Sequence, residues 1–173
     1  MEHPMAAQVP KTSALKDFQG PYVLDGGQFS YSAIGNVLIT SQNGDLTVDA
    51  MRRTNDFHSR VLARFPRGTC MISHLSTMKV PSPEVRKTIA DALARYDATT
   101  LKRAIVLSEE GFVASIVRSV LAGMAAVDRT STMQRYFSDL SLAAQFLADV
   151  AQPTGLGADA ILQAAQATVE AHG

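Results

Sequence analysis

The chain has 173 residues, with 16 Lys plus Arg against 16 Asp plus Glu and a formal net charge of zero. That balance excludes a global attraction for nucleic acid or for an anionic membrane surface; either would need a local patch. Hydrophobic residues make up 46%, yet no apolar run reaches the roughly 20 residues that span a bilayer, and one cysteine excludes an internal disulfide.

The length suits one domain with a sizeable core. Glu2, His3 and Pro4 open the chain without an apolar run, so no secretory leader is expected and the cytoplasm is the expected compartment. Residues 1–17 hold Pro4, Pro10 and small or polar residues without period, which predicts a flexible tail. Residues 18–24 read as an edge strand, and Asp25-Gly26-Gly27 turns the chain. Phe29, Tyr31 and Ala33 then alternate with Ser30 and Ser32, the period of a strand. Gly35-Asn36 suits a two-residue hairpin turn, because both residues accept positive φ. Residues 37–40 are the returning strand.

Thr47 opens a helix to about Arg64, with Met51, Thr54, Phe57, His58, Val61, Leu62 and Phe65 as its inner stripe. Arg52, Arg53, Arg60, Arg64 and Arg67 make the outer face basic. Without interleaved aromatics that pattern predicts a solvated face rather than a nucleic-acid surface. Residues 69–75 form the next strand. Ser82-Pro83-Glu84 is a helix start: an N-cap hydroxyl, Pro at the first position and an acid in the first turn. Val85, Ile89, Ala92, Leu93 and Tyr96 give that helix an apolar face.

Ala104-Ile105-Val106-Leu107 is a short apolar run, broken by Ser108-Glu109-Glu110-Gly111. Phe112, Ile116, Val120 and Met124 then recur every four residues. This spacing predicts an inner strand buried on both faces, followed by a helix. Residues 134–138 read as a short strand, and Asp139 caps a helix with Leu140, Ala143, Ala144 and Leu147 inward. Gln152-Pro153-Thr154-Gly155 breaks the chain. Residues 158–171 form an Ala-rich helix with Ile161, Leu162, Ala165 and Val169 in line. A helix of that length is marginal alone in water, so its apolar line must bury. It does so either on the domain's own surface or against a second copy, in a homodimer through the C-terminal helix.

The fold class that follows is α/β. It has a mixed sheet of about four to five strands with an opening antiparallel hairpin, then alternating helices and strands joined by right-handed crossovers, plus an extra C-terminal helix. The expected boundaries are a tail at 1–17, the domain at 18–150, and a linker with the C-terminal helix at 151–173.

This order resembles the STAS domain, the fold of anti-sigma factor antagonists, over residues 27–150. The matching stretches are 28–40 as the opening strand pair, Met71-Ile72-Ser73-His74-Leu75-Ser76 as the central strand and its end, 82–96 as the next helix, and 104–107 with its helix. Arg135-Tyr136-Phe137-Ser138-Asp139 leading into 142–147 closes the match. The resemblance implies a regulatory or protein-interaction domain rather than an enzyme, with a regulator or kinase-type protein as partner. Phosphorylatable members carry an Asp-Ser-Ser-Gly-like motif where the loop enters the helix. The segment here is Val80-Pro81-Ser82-Pro83-Glu84-Val85. Ser82 sits near the place, without the Asp-Ser pair or the Gly, and His74 stands where many members have an Asp. A domain without the phosphorylation switch is implied.

Candidate interaction or ligand residues are His74, Ser76, Ser82, Ser108 and Glu109. His74, Ser76, Ser108 and Glu109 should lie at the carboxyl ends of two strands, where open α/β sheets place ligands. His74 with Glu109 would suit acid–base work, hence an alternative hydrolase or transferase; a solvated loop edge is the simpler reading. A phosphate on Ser82 would meet free N–H groups and the positive helix end, although capping alone also selects Ser-Pro-Glu. A further alternative is a carrier of a small lipid or metabolite. Its cavity would lie between the sheet and the helices at 47–64 and 112–126, lined by Phe57, Phe65, Phe112 and Met124. The same residues serve equally as plain core. His58 is expected to be packed inside the stripe. Cys70 should be a small buried hydrophobe, and its separation from His74 by about 13 Å along a strand excludes direct activation between them. Histidines at 3, 58, 74 and 172 with one cysteine show no ligand spacing, so no metal or cofactor is expected.

Overall fold

The computed structural model describes residues 17–77, 81–108, 119, 133–153 and 155–172. Residues 1–16 of the expected tail, and the helix expected after Gly111, lie outside the described residues. Six strands form one sheet in the order β1 to β6: β1 Phe18–Leu24, β2 Phe29–Ile34, β3 Val37–Asn43, β4 Thr69–Thr77, β5 Thr100–Leu107 and β6 Met133–Phe137. β1, β2 and β3 pair antiparallel, and β3 to β6 are parallel neighbours. The class is the mixed α/β sheet expected from the pattern, with one strand more. The leading edge strand, both hairpin arms and the strand at 134–138 all join the same sheet.

The hairpin turn is Gly35-Asn36. Ile34 faces Val37 across it, and Gly35 takes a φ of 54°. The first long helix, α1 Val48–Arg64, is capped by Thr47, whose hydroxyl accepts from the Ala50 N–H. The second, α2 Pro83–Tyr96, is capped in the same way by Ser82. Both connect parallel neighbours while the sheet grows in one direction, so right-handed crossovers put them on one face. Phe29, Tyr31, Ala33 and Leu38 pack there against Ala50, Phe57 and Val61 of α1. Two further helices, α3 Leu140–Ala148 and α4 Ala158–Glu170, cover the other face. Ile34, Val37, Ile39, Ile72 and Val106 meet Ala143, Ala144, Leu147, Ile161, Ala164 and Ala165 there in the largest core cluster. Full burial of an Ile or Leu such as Ile72 or Leu147, both 0% exposed, contributes about 1.5–3 kcal/mol.

The face of α4 is Ile161, Ala164, Ala165 and Thr168, rotated slightly from the expected line: Leu162 and Val169 are only partly buried. Its apolar stripe is buried on the chain's own sheet. Two hydroxyl contacts add register. Ser30 donates to the Thr168 carbonyl at 2.6 Å, and Ser32 meets the Thr168 hydroxyl at 2.5 Å. Asn36, 0% exposed, ties the hairpin tip to the segment entering α4. Its backbone N–H donates to the Gln152 carbonyl at 3.0 Å, and its Oδ1 accepts from the Gln152 N–H at 2.7 Å.

Candidate functional site

Strand alternation splits the chemistry of this sheet between its two faces. On the α1/α2 face, β3 presents Thr40, β4 presents Met71, Ser73 and Leu75, and β5 presents Arg103 and Ile105. Between these and the helices lies a cavity of about 160 Å³. Met51 of α1 and Ile89, Ala92 and Leu93 of α2 close it from above. Thr40 and Ser73 are short side chains on its sheet floor.

Part of the cavity wall is polar, and it includes Arg103, Gln134 and His58. Arg103 is 7% exposed, and its Nη1 donates to the Gln134 Oε1 at 3.3 Å. Gln134 in turn donates to the Tyr136 hydroxyl at 3.0 Å. His58, 2% exposed, stacks on Tyr96 with ring centroids 4.0 Å apart and shares a hydrogen bond with the Thr69 hydroxyl at 2.8 Å. Burial, and after it the nearby Arg103 charge, push the His58 imidazole down to about 4. His58 is therefore neutral at pH 7, and the fixed cation in this wall is Arg103.

The expected cavity differs in its walls. Phe57 is 1% exposed inside the core under α1, and Phe65 packs on the same cluster; neither lines the cavity. The aromatic residues that do line it are Phe29 and Tyr96. Phe112 and Met124 lie outside the described residues.

The α3/α4 face carries a second constellation at the carboxyl edge of the sheet. His74 of β4 is 6% exposed. Its Nε2 lies 2.6 Å from the hydroxyl of Ser108, the exposed residue that follows β5. Its Nδ1 lies 2.9 Å from the Ser41 hydroxyl on β3. Ser41 reaches His172 Nε2 at 2.8 Å, and His172 Nδ1 meets the Gly27 carbonyl at 2.6 Å. Burial holds the His74 imidazole below its ordinary value, and the His172 ring adds to this.

Of the residues singled out from the sequence, His74 and Ser108 are thus brought together. Ser76 stands apart, donating to the Gln42 carbonyl at 3.1 Å, and Ser82 is the exposed N-cap of α2. Glu109 lies outside the described residues. Cys70 is fully buried, and burial raises its thiol to about 12, so it is inert packing. Ser41, His172, Arg103 and Gln134 carried no signal as site residues. Ser41 lies just past the expected strand end at 40, and His172 is 98 residues from His74 (172 minus 74). Their only sequence mark is the shared parity of Ser41 with Ile39 along β3.

The described residues define an α/β domain with one mixed six-stranded sheet and helices on both faces. Comparison with protein-family models, with curated proteins and with solved structures finds no match. Among the described residues, no helix is long and apolar enough to cross a membrane, and no group of His, Cys, Asp and Glu could hold a metal ion.

Proposed function

We propose that this is a regulatory domain that binds a small, largely apolar molecule with an acidic end. The observation that carries this is the cavity of about 160 Å³ on the α1/α2 face, with a mostly apolar lining and Arg103 in its wall. A void of similar size, about 150 Å³, in another protein's apolar core is enough to admit benzene. The fitting class is therefore an aromatic acid or a short fatty acid. Its hydrocarbon part replaces no hydrogen bonds on entry, and its carboxylate gains a charge-assisted bond from a guanidinium already desolvated by the fold.

The resemblance to STAS domains supports the regulatory half of the reading, with a protein partner of regulator or kinase type. The helix α2 links the two halves, since Ile89, Ala92 and Leu93 line the cavity while its N-cap Ser82 is exposed.

Thermal denaturation with hexanoate, benzoate and neutral hexanol tests the binding. A ligand present at about 100 times its Kd adds about 2.7 kcal/mol to the native state. In a domain of this size that raises Tm by about 5–10 °C. Both acids should do so, hexanol should do less, and Ala92→Phe should abolish the shift by filling the void. If Ala92→Phe unfolds the chain, Ser73→Leu fills the same space from the sheet side. Unchanged Tm with every probe at millimolar concentration would overturn the reading.

A further inference from the structure

We propose that Ser108 is a nucleophile toward carboxylic esters, with His74 Nε2 as its general base and with Ser41 and His172 as positioning residues. The hydrogen-bond partners fix the direction in which the protons of this chain point. The series begins at Gly27, whose backbone carbonyl accepts and cannot donate. His172 Nδ1, 2.6 Å away, therefore carries a proton. In neutral His172 the Nε2 is then an acceptor.

Two hydroxyls approach that Nε2, Ser41 at 2.8 Å and Ser30 at 3.3 Å. Ser30 gives its single proton to the Thr168 carbonyl at 2.6 Å. Ser41 must supply the bond, so the Ser41 oxygen is left to accept. It accepts from His74 Nδ1 at 2.9 Å. His74 is thereby held as its Nδ1–H tautomer, with the Nε2 lone pair aimed at the Ser108 hydroxyl 2.6 Å away. Ser108 donates, and every other proton in the chain is already committed. This is the arrangement of nucleophile, base and orienting group that activates a serine. Here a neutral hydroxyl backed by a second imidazole stands in place of a carboxylate. Ser108 is exposed while His74 is 6% exposed, so a substrate can reach the oxygen while the base stays desolvated.

In the reaction the Ser108 Oγ bonds to the ester carbonyl carbon, and its proton passes to His74 Nε2. The tetrahedral adduct collapses with loss of the alcohol, which takes that proton. Water then attacks the acyl-serine through the same base, releasing the acid and restoring the Ser108 hydroxyl. Among the described residues, His74 bonds to the two hydroxyls of Ser41 and Ser108 and to no carboxylate, so turnover is slow. The cavity lies on the opposite face of the sheet, so this proposal stands or falls separately from the binding reading.

The test uses a fluorophosphonate probe on the full chain, with mass spectrometry to place the adduct, and p-nitrophenyl acetate for burst kinetics. The expected adduct is on Ser108 and absent in Ser108→Ala. His74→Gln should slow labelling by at least about 100-fold, the low end of what a positioned base contributes. His172→Ala should slow it while His172→Gln restores it, because the Gln amide can donate to Gly27 and accept from Ser41. A merely structural role would not give that rescue. Urea midpoints establish that each variant is folded; should His74→Gln fail to fold, Ser41→Ala against Ser41→Thr tests the same chain. Labelling of Ser108 no faster than of Ser82, the exposed N-cap serine of α2, overturns the proposal. So does a His74→Gln or Ser41→Ala rate equal to that of the unsubstituted protein.

Discussion

Gly35→Ala should lower the stability of the protein by at least about 3 kcal/mol, read as a fall in the urea midpoint at unchanged slope. Two costs combine at this position. Gly35 has a φ of 54°, and an L-residue held in that left-handed region costs about 1–2 kcal/mol. The second cost is steric. An added Cβ would collide with the Gln152 carbonyl oxygen and meet the Gln152 carbonyl carbon at 2.9 Å and the Leu156 side chain at 3.0 Å. The first of these is backbone, so relief requires moving the segment that enters α4. That segment is held by the paired hydrogen bonds between Asn36 and Gln152. Shifting it leaves the buried Asn36 amide with lost partners, at about 1–3 kcal/mol for each unsatisfied group. Near-normal stability of Gly35→Ala would mean that the hairpin tip does not hold this segment, and that α4 is not docked through it.

Acidification from pH 6.5 to pH 4 should destabilise the protein by about 3 kcal/mol through His58 alone. The folded value is about 4, set first by burial and then by Arg103; the unfolded value is near 6.5. A depressed folded value means that the unfolded chain binds the proton first. The stabilisation is complete above pH 6.5, falls as pH drops through the window, and is gone below about pH 4. His58→Gln removes the titration while keeping a side-chain amide for the Thr69 hydroxyl. Its urea midpoint should therefore vary less between pH 6.5 and pH 4.5 than that of the unsubstituted protein. An identical slope in the two proteins would show that His58 titrates normally and is not desolvated beneath Tyr96.

The course of the chain was legible because its strands and helices obey their own periods. Ser82-Pro83-Glu84 caps α2 and Asp139 caps α3 through local bonds that need no knowledge of the fold. The Phe29, Tyr31, Ala33 alternation set the faces of β2 correctly. Alternation alone does not say which face meets water. Ser30 and Ser32 are 0% exposed, because α4 lies over them and Thr168 satisfies their hydroxyls. That pairing joins residues more than 130 apart, and nothing local encodes it.

The sites were harder to see for the same reason. His74 and Ser108 stood out as strand ends, and parallel pairing of β4 with β5 brings them within reach. Ser41 and His172 complete the chain only after β3 and the end of α4 meet at the same edge. The cavity depends on how far Met51 and Leu93 stand from Thr40 and Ser73, a distance fixed by packing across three layers. Phe57 and Phe65 looked like lining by size; Phe57 is in the core and Phe65 packs, partly buried, against it.

The central claim is that the void on the α1/α2 face takes an apolar acid. Intermolecular NOEs from hexanoate to methyl-labelled protein test it most directly. The account predicts saturable NOEs from the acyl chain to the methyls of Met71, Ile89 and Ile105, with the carboxylate end toward Arg103. Ile72 and Leu147, on the other face of the sheet, should stay silent. NOEs confined to Ile72 and Leu147, or none at saturating hexanoate, would contradict it.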